Sequence, residues 1–145
     1  MTKKMTQEEW RAFVSCSTRT GKLSTVREDG SPHIAPIWFA LDGDSFVFTT
    51  GKDTVKARNL ARDGRVALCV DDDRPPYSYV VLQGRAEISE YAGNEDEMLA
   101  WATAIGARYM GEENARAFGR RNAVTGELLV RVPIDKVIAL GGVAD

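Results

Sequence analysis

The stretch FVFTTGKDTVKARNL, residues 46 to 60, gathers two threonines, a glycine and the cations Lys52, Lys56 and Arg58 where an alternating apolar run stops. Threonine hydroxyls, free amides at a strand end and ammonium groups one helical turn apart are what holds a phosphate or another anion. A helix following the strand end would aim the positive end of its dipole at the same place. Charge-assisted hydrogen bonds of this kind are roughly twice as strong as neutral ones. The competing reading of the same lysines is an ordinary solvated face. On neither reading does the segment make or break a bond of its own.

The rest of the chain offers no self-sufficient catalyst. Gly51-Lys52 is not a nucleotide-triphosphate loop, because Phe46 stands where its first glycine belongs and Asp53 where a Ser or Thr must follow the lysine. A GxGxxG dinucleotide turn is absent as well. The single histidine, His33, sits beside Pro32 with no GxSxG elbow to supply a nucleophile, so a hydrolytic triad is not expected. Cys16 and Cys69 lack paired spacing and read as free thiols, which with one histidine leaves no transition-metal set. Asp71, Asp72 and Asp73 lack the ligand order of a hard-cation loop and read as a solvated turn. If the chain catalyses a reaction, the reactive atoms belong to a bound cofactor.

The elements that must place these groups are written in the pattern of the chain. Thr6 and Glu9 have capping-box spacing ahead of Trp10, Phe13 and Val14, which predicts a short first helix. Turns at Asp29-Gly30 and Asp42-Gly43 separate three β-rich runs and predict a meander. GRVALCV supplies a fourth strand and YSYVVLQGRAEIS a fifth, with a bend or bulge at Gly84 and an extended approach set by Pro75-Pro76. Asn94 is the expected cap of a second helix, with Glu97 at its third position and an apolar face of Met98, Leu99, Trp101, Ala102, Ile105 and Tyr109. AFGRRNAVTG, which carries Arg120 and Arg121, reads as a solvated loop. ELLVRVPIDKVIAL is the sixth strand, confined by Pro133 to an edge or a break. The fold class expected is mainly β with flanking helices (α+β), about six antiparallel strands in a closed or half-closed barrel.

At 145 residues the chain suits one domain, residues 1–145, with a proper core. Its 19 basic and 21 acidic side chains leave a formal charge of −2, which argues against generic nucleic-acid binding. The first residues lack the apolar run of a secretory signal, and no stretch approaches the roughly 20 apolar residues of a membrane span. No membrane partner is expected, and the expected location is cytoplasmic.

The order and spacing of STVREDGSPHIAPIWF, the strand end FTTGKD, VKARNL and SYVVLQGRAEI resemble the pyridoxamine-phosphate-oxidase-like split-barrel superfamily, in particular its branch of small actinobacterial proteins that use the deazaflavin coenzyme F420. The likeness runs from Leu23 to Ile88 and more loosely to RVPIDKV. It implies a split β-barrel homodimer with flavin-type cofactors in grooves between the protomers. By motif position Thr49, Thr50, Lys52, Thr54 and Lys56 would line the phosphate end of the groove, with Arg58 beside them. Pro36, Ile37 and Trp38 would border the ring, and Tyr77 and Tyr79 would approach from the other subunit.

The cofactor implied is coenzyme F420, with FMN as the alternative. FMN ends in one phosphate, whereas F420 carries a phospholactyl chain extended by glutamates, for which Arg62 and Arg65 would lengthen the cationic track. The implied activity is an F420-dependent reductase that passes a hydride to an electron-poor small organic substrate. An FMN-binding oxidoreductase of the same fold and a non-catalytic F420 carrier are the alternatives. No residue is an evident proton donor; Tyr77, Tyr79 and His33 are the candidates.

Overall fold

The computed structural model describes residues 1–145, beginning with the two-residue strand β1 (Lys3–Lys4) and helix α1 (Gln7–Ser15). The capping box forms as the spacing predicts, Glu9 N–H donating to Thr6 Oγ1 at 3.1 Å and Thr6 N–H to Glu9 Oε1 at 3.2 Å. Trp10 and Val14 are buried against the sheet. The chain continues through β2 (Gly21–Val26), β3 (Pro32–Ile37), β4 (Ala40–Asp42), β5 (Ser45–Gly51), α2 (Val55–Arg62), β6 (Arg65–Asp72), β7 (Ser78–Arg85) and β8 (Glu87–Glu90). Helices α3 (Glu95–Met110) and α4 (Ala115–Asn122) precede the long last strand β9 (Glu127–Gly141).

The nine strands form one curled antiparallel sheet, ordered β3-β2-β6-β7-β9-β5-β4, with β1 and β8 on β9. Three more strands are present than the six expected, and the additional ones are the short pieces β1, β4 and β8. Both hairpin turns form where the Asp-Gly pairs stand, with Gly30 at φ 85° and Gly43 at φ 56°. The predicted three-stranded meander does not form. β3 ends at Ile37, and β5 pairs with β9 instead of with β3. The cause lies 70 residues away: Phe39 N–H donates to Tyr109 Oη at 3.4 Å and Arg108 Nη1 donates to Phe39 O at 2.8 Å, so side chains of α3 replace the ladder bonds that would have carried the strand on.

The last strand is central, not at an edge. Residues before Pro133 pair with β5 and β8, those after it with β7 and β1, so the proline falls where β9 changes partners. Gly84 faces that point, and the β7–β9 register shifts between Gln83 and Gly84, the bulge the sequence predicts. A Cβ at Gly84 would lie 2.1 Å from the Pro133 carbonyl oxygen, so glycine is the residue that fits.

Strand β5 is buried on both faces. Phe46 and Phe48 join Leu23, Leu68, Val70, Leu82 and Val130 in the barrel core, while Val47 is equally buried on the opposite face. A second, smaller core of Met98, Ala102, Ala123 and Leu129 seats the two C-terminal helices. The segment read as a solvated loop around Arg120 and Arg121 is helix α4. Its glycine serves close packing instead of a turn: a Cβ on Gly119 would sit 2.1 Å from Thr103 Oγ1, and one on Gly106 in α3 would sit 2.7 Å from Phe118 Cβ.

Two smaller expectations also change. Asn94 stands at the start of α3 without a side-chain cap, its Nδ2 donating instead to Glu90 O at 3.0 Å. Asp71 and Asp72 are not a solvated turn but the end of β6, paired with Lys22 at 2.8 Å and Arg19 at 3.3 Å. No helix is long and apolar enough to cross a membrane.

Candidate functional site

Strand β5 ends at Gly51, and α2 starts four residues later behind the Thr54 cap. Alternation along β5 decides which threonine does what. Thr49 lies on the Val47 face, toward the C-terminal helices, whereas Thr50 points into the barrel and is 4% exposed. Thr50 Oγ1 and Thr54 Oγ1 are 3.0 Å apart, Thr54 Oγ1 donates to Gly51 O at 2.9 Å, and Ala57 N–H donates to Thr54 Oγ1 at 3.2 Å. Both hydroxyls are therefore spent on closing the strand-to-helix turn.

Thr49 instead meets Lys56, Pro36, Ile37 and Trp38 around a cavity of about 280 Å³, completed by Ala102, Ile105, Asn122 and Glu127. Five of the residues expected at the site converge there from β3 and the residue after it, β5 and α2. Lys52 lines a neighbouring cavity of about 190 Å³ with Tyr91, Thr125 and Gly126, and Glu127 lines both. Arg58 is exposed on α2 and lines neither cavity. Asn59 is buried, its Nδ2 donating to Thr25 Oγ1 at 3.0 Å, and so anchors α2 to β2.

Trp38 is held in place from the far side. Its ring stacks on Tyr109 at a centroid distance of 5.2 Å and an interplanar angle of 6°, with Phe118 tilted against it at 5.6 Å. Arg121, whose guanidinium lies 5.3 Å from the Phe118 ring, extends that stack. Tyr109 in turn donates from Oη to Arg19 O at 2.8 Å, and burial pushes its phenol above the ordinary value. The aromatic wall of the cavity is thus built by three separate segments.

The electrostatics favour an anion. Lys56 is in the first turn of α2, which contains no acidic residue, so a side-chain cation and the positive end of the helix coincide. Glu127 faces them. Burial pushes its carboxyl above the ordinary range, while a Thr49 hydrogen bond and the charge of Lys56 pull it back.

Tyr77 and Tyr79 line neither cavity; Tyr79 pairs across the sheet with Asp71 and Leu140, and Tyr77 begins the turn into β7 at φ 65°. Any role for them at the groove runs through a second copy of the chain. His33 lies on β3 opposite Thr25, outside both cavities, with its Nδ1 buried and unpartnered. A larger hollow of about 700 Å³ lies between α1 and the chain termini; of its lining residues, Glu9 is held in the capping box and Asp145 lies 3.9 Å from the terminal amine.

Residues missed on the sequence are Ala102, Ile105, Asn122 and Glu127. Ala102 and Ile105 carried only an apolar-face signal, Asn122 fell in the segment read as a solvated loop, and Glu127 reads as a charge at the start of a strand.

A curled antiparallel sheet with helices flanking its open side is a split β-barrel, the class that the sequence resemblance implied. The chain belongs to the pyridoxamine 5'-phosphate oxidase family, whose model matches residues 6–131. A 5a,11a-dehydrotetracycline/5a,11a-dehydrooxytetracycline reductase of Streptomyces rimosus is 36% identical over 93 residues, a match covering 54% of this chain and 66%, just under two thirds, of that protein. Among solved structures, a conserved hypothetical protein of Mycobacterium tuberculosis is 26% identical with a TM-score of 0.81, over 95% of this chain and 86% of that one. A structure described as an F420 reductase is 27% identical with a TM-score of 0.64, over 83% of this chain and 90% of that one.

Proposed function

We propose that this oxidoreductase binds coenzyme F420 in the groove at Lys56 and, with the coenzyme reduced, passes a hydride to an electron-poor small organic molecule. The observation that carries the reading is the convergence of Pro36, Ile37, Trp38, Thr49 and Lys56 on one cavity at the start of α2. The donor set fits the coenzyme. A lysine in an acid-free first helical turn, with a threonine hydroxyl beside it, suits a phosphate, and a proline–isoleucine–tryptophan edge suits a planar ring. The F420 reductase among the structural relatives supports the cofactor, and the dehydrotetracycline reductase supports an organic acceptor.

When bound, the coenzyme supplies a two-electron hydride, with carbon in place of the flavin ring nitrogen that favours reaction with oxygen. The chain's own residues do the positioning. Lys56 would hold the phosphate, joined by Thr49 once its hydroxyl turns from Glu127, and Trp38, fixed between Tyr109 and Phe118, would set the plane of the ring. The product's proton comes from solvent or from a group outside this cavity.

A cavity of about 280 Å³ is below the usual range for a whole ligand of this size, so the remainder of the coenzyme needs a second wall. A homodimer supplies it in this reading. Across the outer sheet face the register aligns Pro36, Lys22, Cys69, Val81 and Ile138, a mainly apolar row whose one cation is tied to Asp71 at 2.8 Å. Pro36 belongs both to that row and to the cavity, so a second copy on this face would meet the groove and could bring Tyr77 and Tyr79 to it.

Separate absorbance and fluorescence titrations with F420 and FMN test the cofactor, F420 being expected to saturate at the lower concentration. Preferential saturation by FMN would reverse the choice. Stopped-flow oxidation of reduced F420 by enones and quinones tests turnover: binding without acceleration by any acceptor leaves a carrier. A monomer in sedimentation would remove the two-chain groove.

A further inference from the structure

Glu127 puts a carboxylate where the reading above wants a phosphate. It opens β9, its backbone registers with Gly51, and its carboxylate lies 3.8 Å from the position a Cβ on Gly51 would take, as does the Thr54 methyl. Its side chain forms the partition between the cavity of Lys56 and that of Lys52. In the Lys56 cavity these two are the only charged groups, beside the neutral Thr49 and Asn122. Across the partition Glu127 faces Lys52, Glu90 and Tyr91.

We propose that Glu127 is the specificity-determining residue of this groove, matching it to the single charge of a phosphodiester, as in the phospholactyl link of F420, and against the second charge of a phosphomonoester, as in FMN. The inference rests on the coenzyme reading above. A phosphomonoester carries about −1.5 to −2 at pH 7, its second proton leaving near pH 6, whereas a phosphodiester has no second proton to lose. The first negative charge gains a hydrogen bond from Lys56 and the field of the first turn of α2. A second charge on the same group meets Lys56 and Glu127 together, at opposite sign, so little attraction is left to offset its greater desolvation. Glu127 thus penalises the dianion while tolerating the monoanion. Because burial keeps its carboxyl above the ordinary range, this penalty eases in mildly acidic solution.

The test is a titration of F420 and of FMN into the wild type and Glu127→Gln, repeated between about pH 5.5 and 8.5 to span the phosphate ionisation. The near-isosteric amide should tighten FMN about tenfold and F420 by less than about threefold, as expected from removing one charge beside a dianion and beside a monoanion. In the wild type, FMN should bind more weakly as the pH rises; in Glu127→Gln it should bind more tightly as its phosphate ionises. An equal shift of both ligands in the variant overturns the role of Glu127 while F420 binding stands. FMN affinity that rises with pH in the wild type overturns it without recourse to any variant. If neither cofactor binds the wild type, the coenzyme reading fails, and this inference with it.

Discussion

Lys56→Met separates binding from folding, because its two effects have different sizes and directions. Lys56 follows the Thr54 cap by two residues, in a first turn that contains no acid. A cation there opposes the helix dipole by roughly 0.3–1 kcal/mol, so its removal stabilises α2 by that amount. Against this stands the lost attraction to Glu127, worth about 0.2–1 kcal/mol for a pair that is only partly shielded. Methionine keeps the apolar stem in the cavity. The two changes nearly cancel, and the urea midpoint should move by the equivalent of less than about 0.5 kcal/mol.

Coenzyme binding has no such compensation. A charge-assisted hydrogen bond contributes about 1.5–3 kcal/mol, so the F420 dissociation constant should rise roughly 10- to 150-fold. Fluorescence titration at fixed moderate salt reads that change, and urea unfolding followed by tryptophan emission reads the other. A stability loss above about 2 kcal/mol would make Lys56 a structural residue, since the dipole and pair effects cannot reach that size. Unaltered affinity in a normally folded variant would return it to the solvated face.

Gly84→Ala should lower unfolding free energy by about 2–4 kcal/mol, because its new methyl would lie 2.1 Å from a backbone carbonyl that the β9 partner change holds in place; a Tm within experimental error of wild type would contradict that packing. Asn59→Ala strands the Thr25 hydroxyl, whose residue is 1% exposed, and should cost about 1–3 kcal/mol in chemical denaturation. Glu127→Gln gives a pH signature in the unliganded protein. With the folded carboxyl raised above its ordinary 4.5, the group's stabilising share is complete below that pH and drains away as the pH rises through the folded value. The variant should match wild type near pH 4 and become the more stable of the two toward pH 7, whereas a constant offset would mean that Glu127 is not perturbed by folding.

What the sequence disclosed depended on the distance over which each feature is decided. The Thr6–Glu9 box, the turns at Gly30 and Gly43 and the bulge at Gly84 have local chemistry and could be read directly. The end of β3 is set by Arg108 and Tyr109, 69 and 70 residues downstream of Phe39, and nothing near Trp38 announces it. Helix α4 was hidden because a glycine placed for close packing is spelled like one placed for a turn. Motif position assigned Thr49 and Thr50 the same role, yet strand alternation sends neighbours to opposite faces, and the burial of Val47 on the Thr49 side follows only once α3 is docked.

The same contrast locates function. Folding alone would place an acid, not Lys56, in the first turn of α2, and an uncharged side chain, not Glu127, at the half-buried start of β9. Each choice is unfavourable locally, and both occur at one cavity, while the nearby capping and core residues obey every local rule. An anion bound between them relieves the first and gives the second a task. Places where local preference and global fold disagree are where natural chains keep their sites, and in this chain they meet beside Trp38.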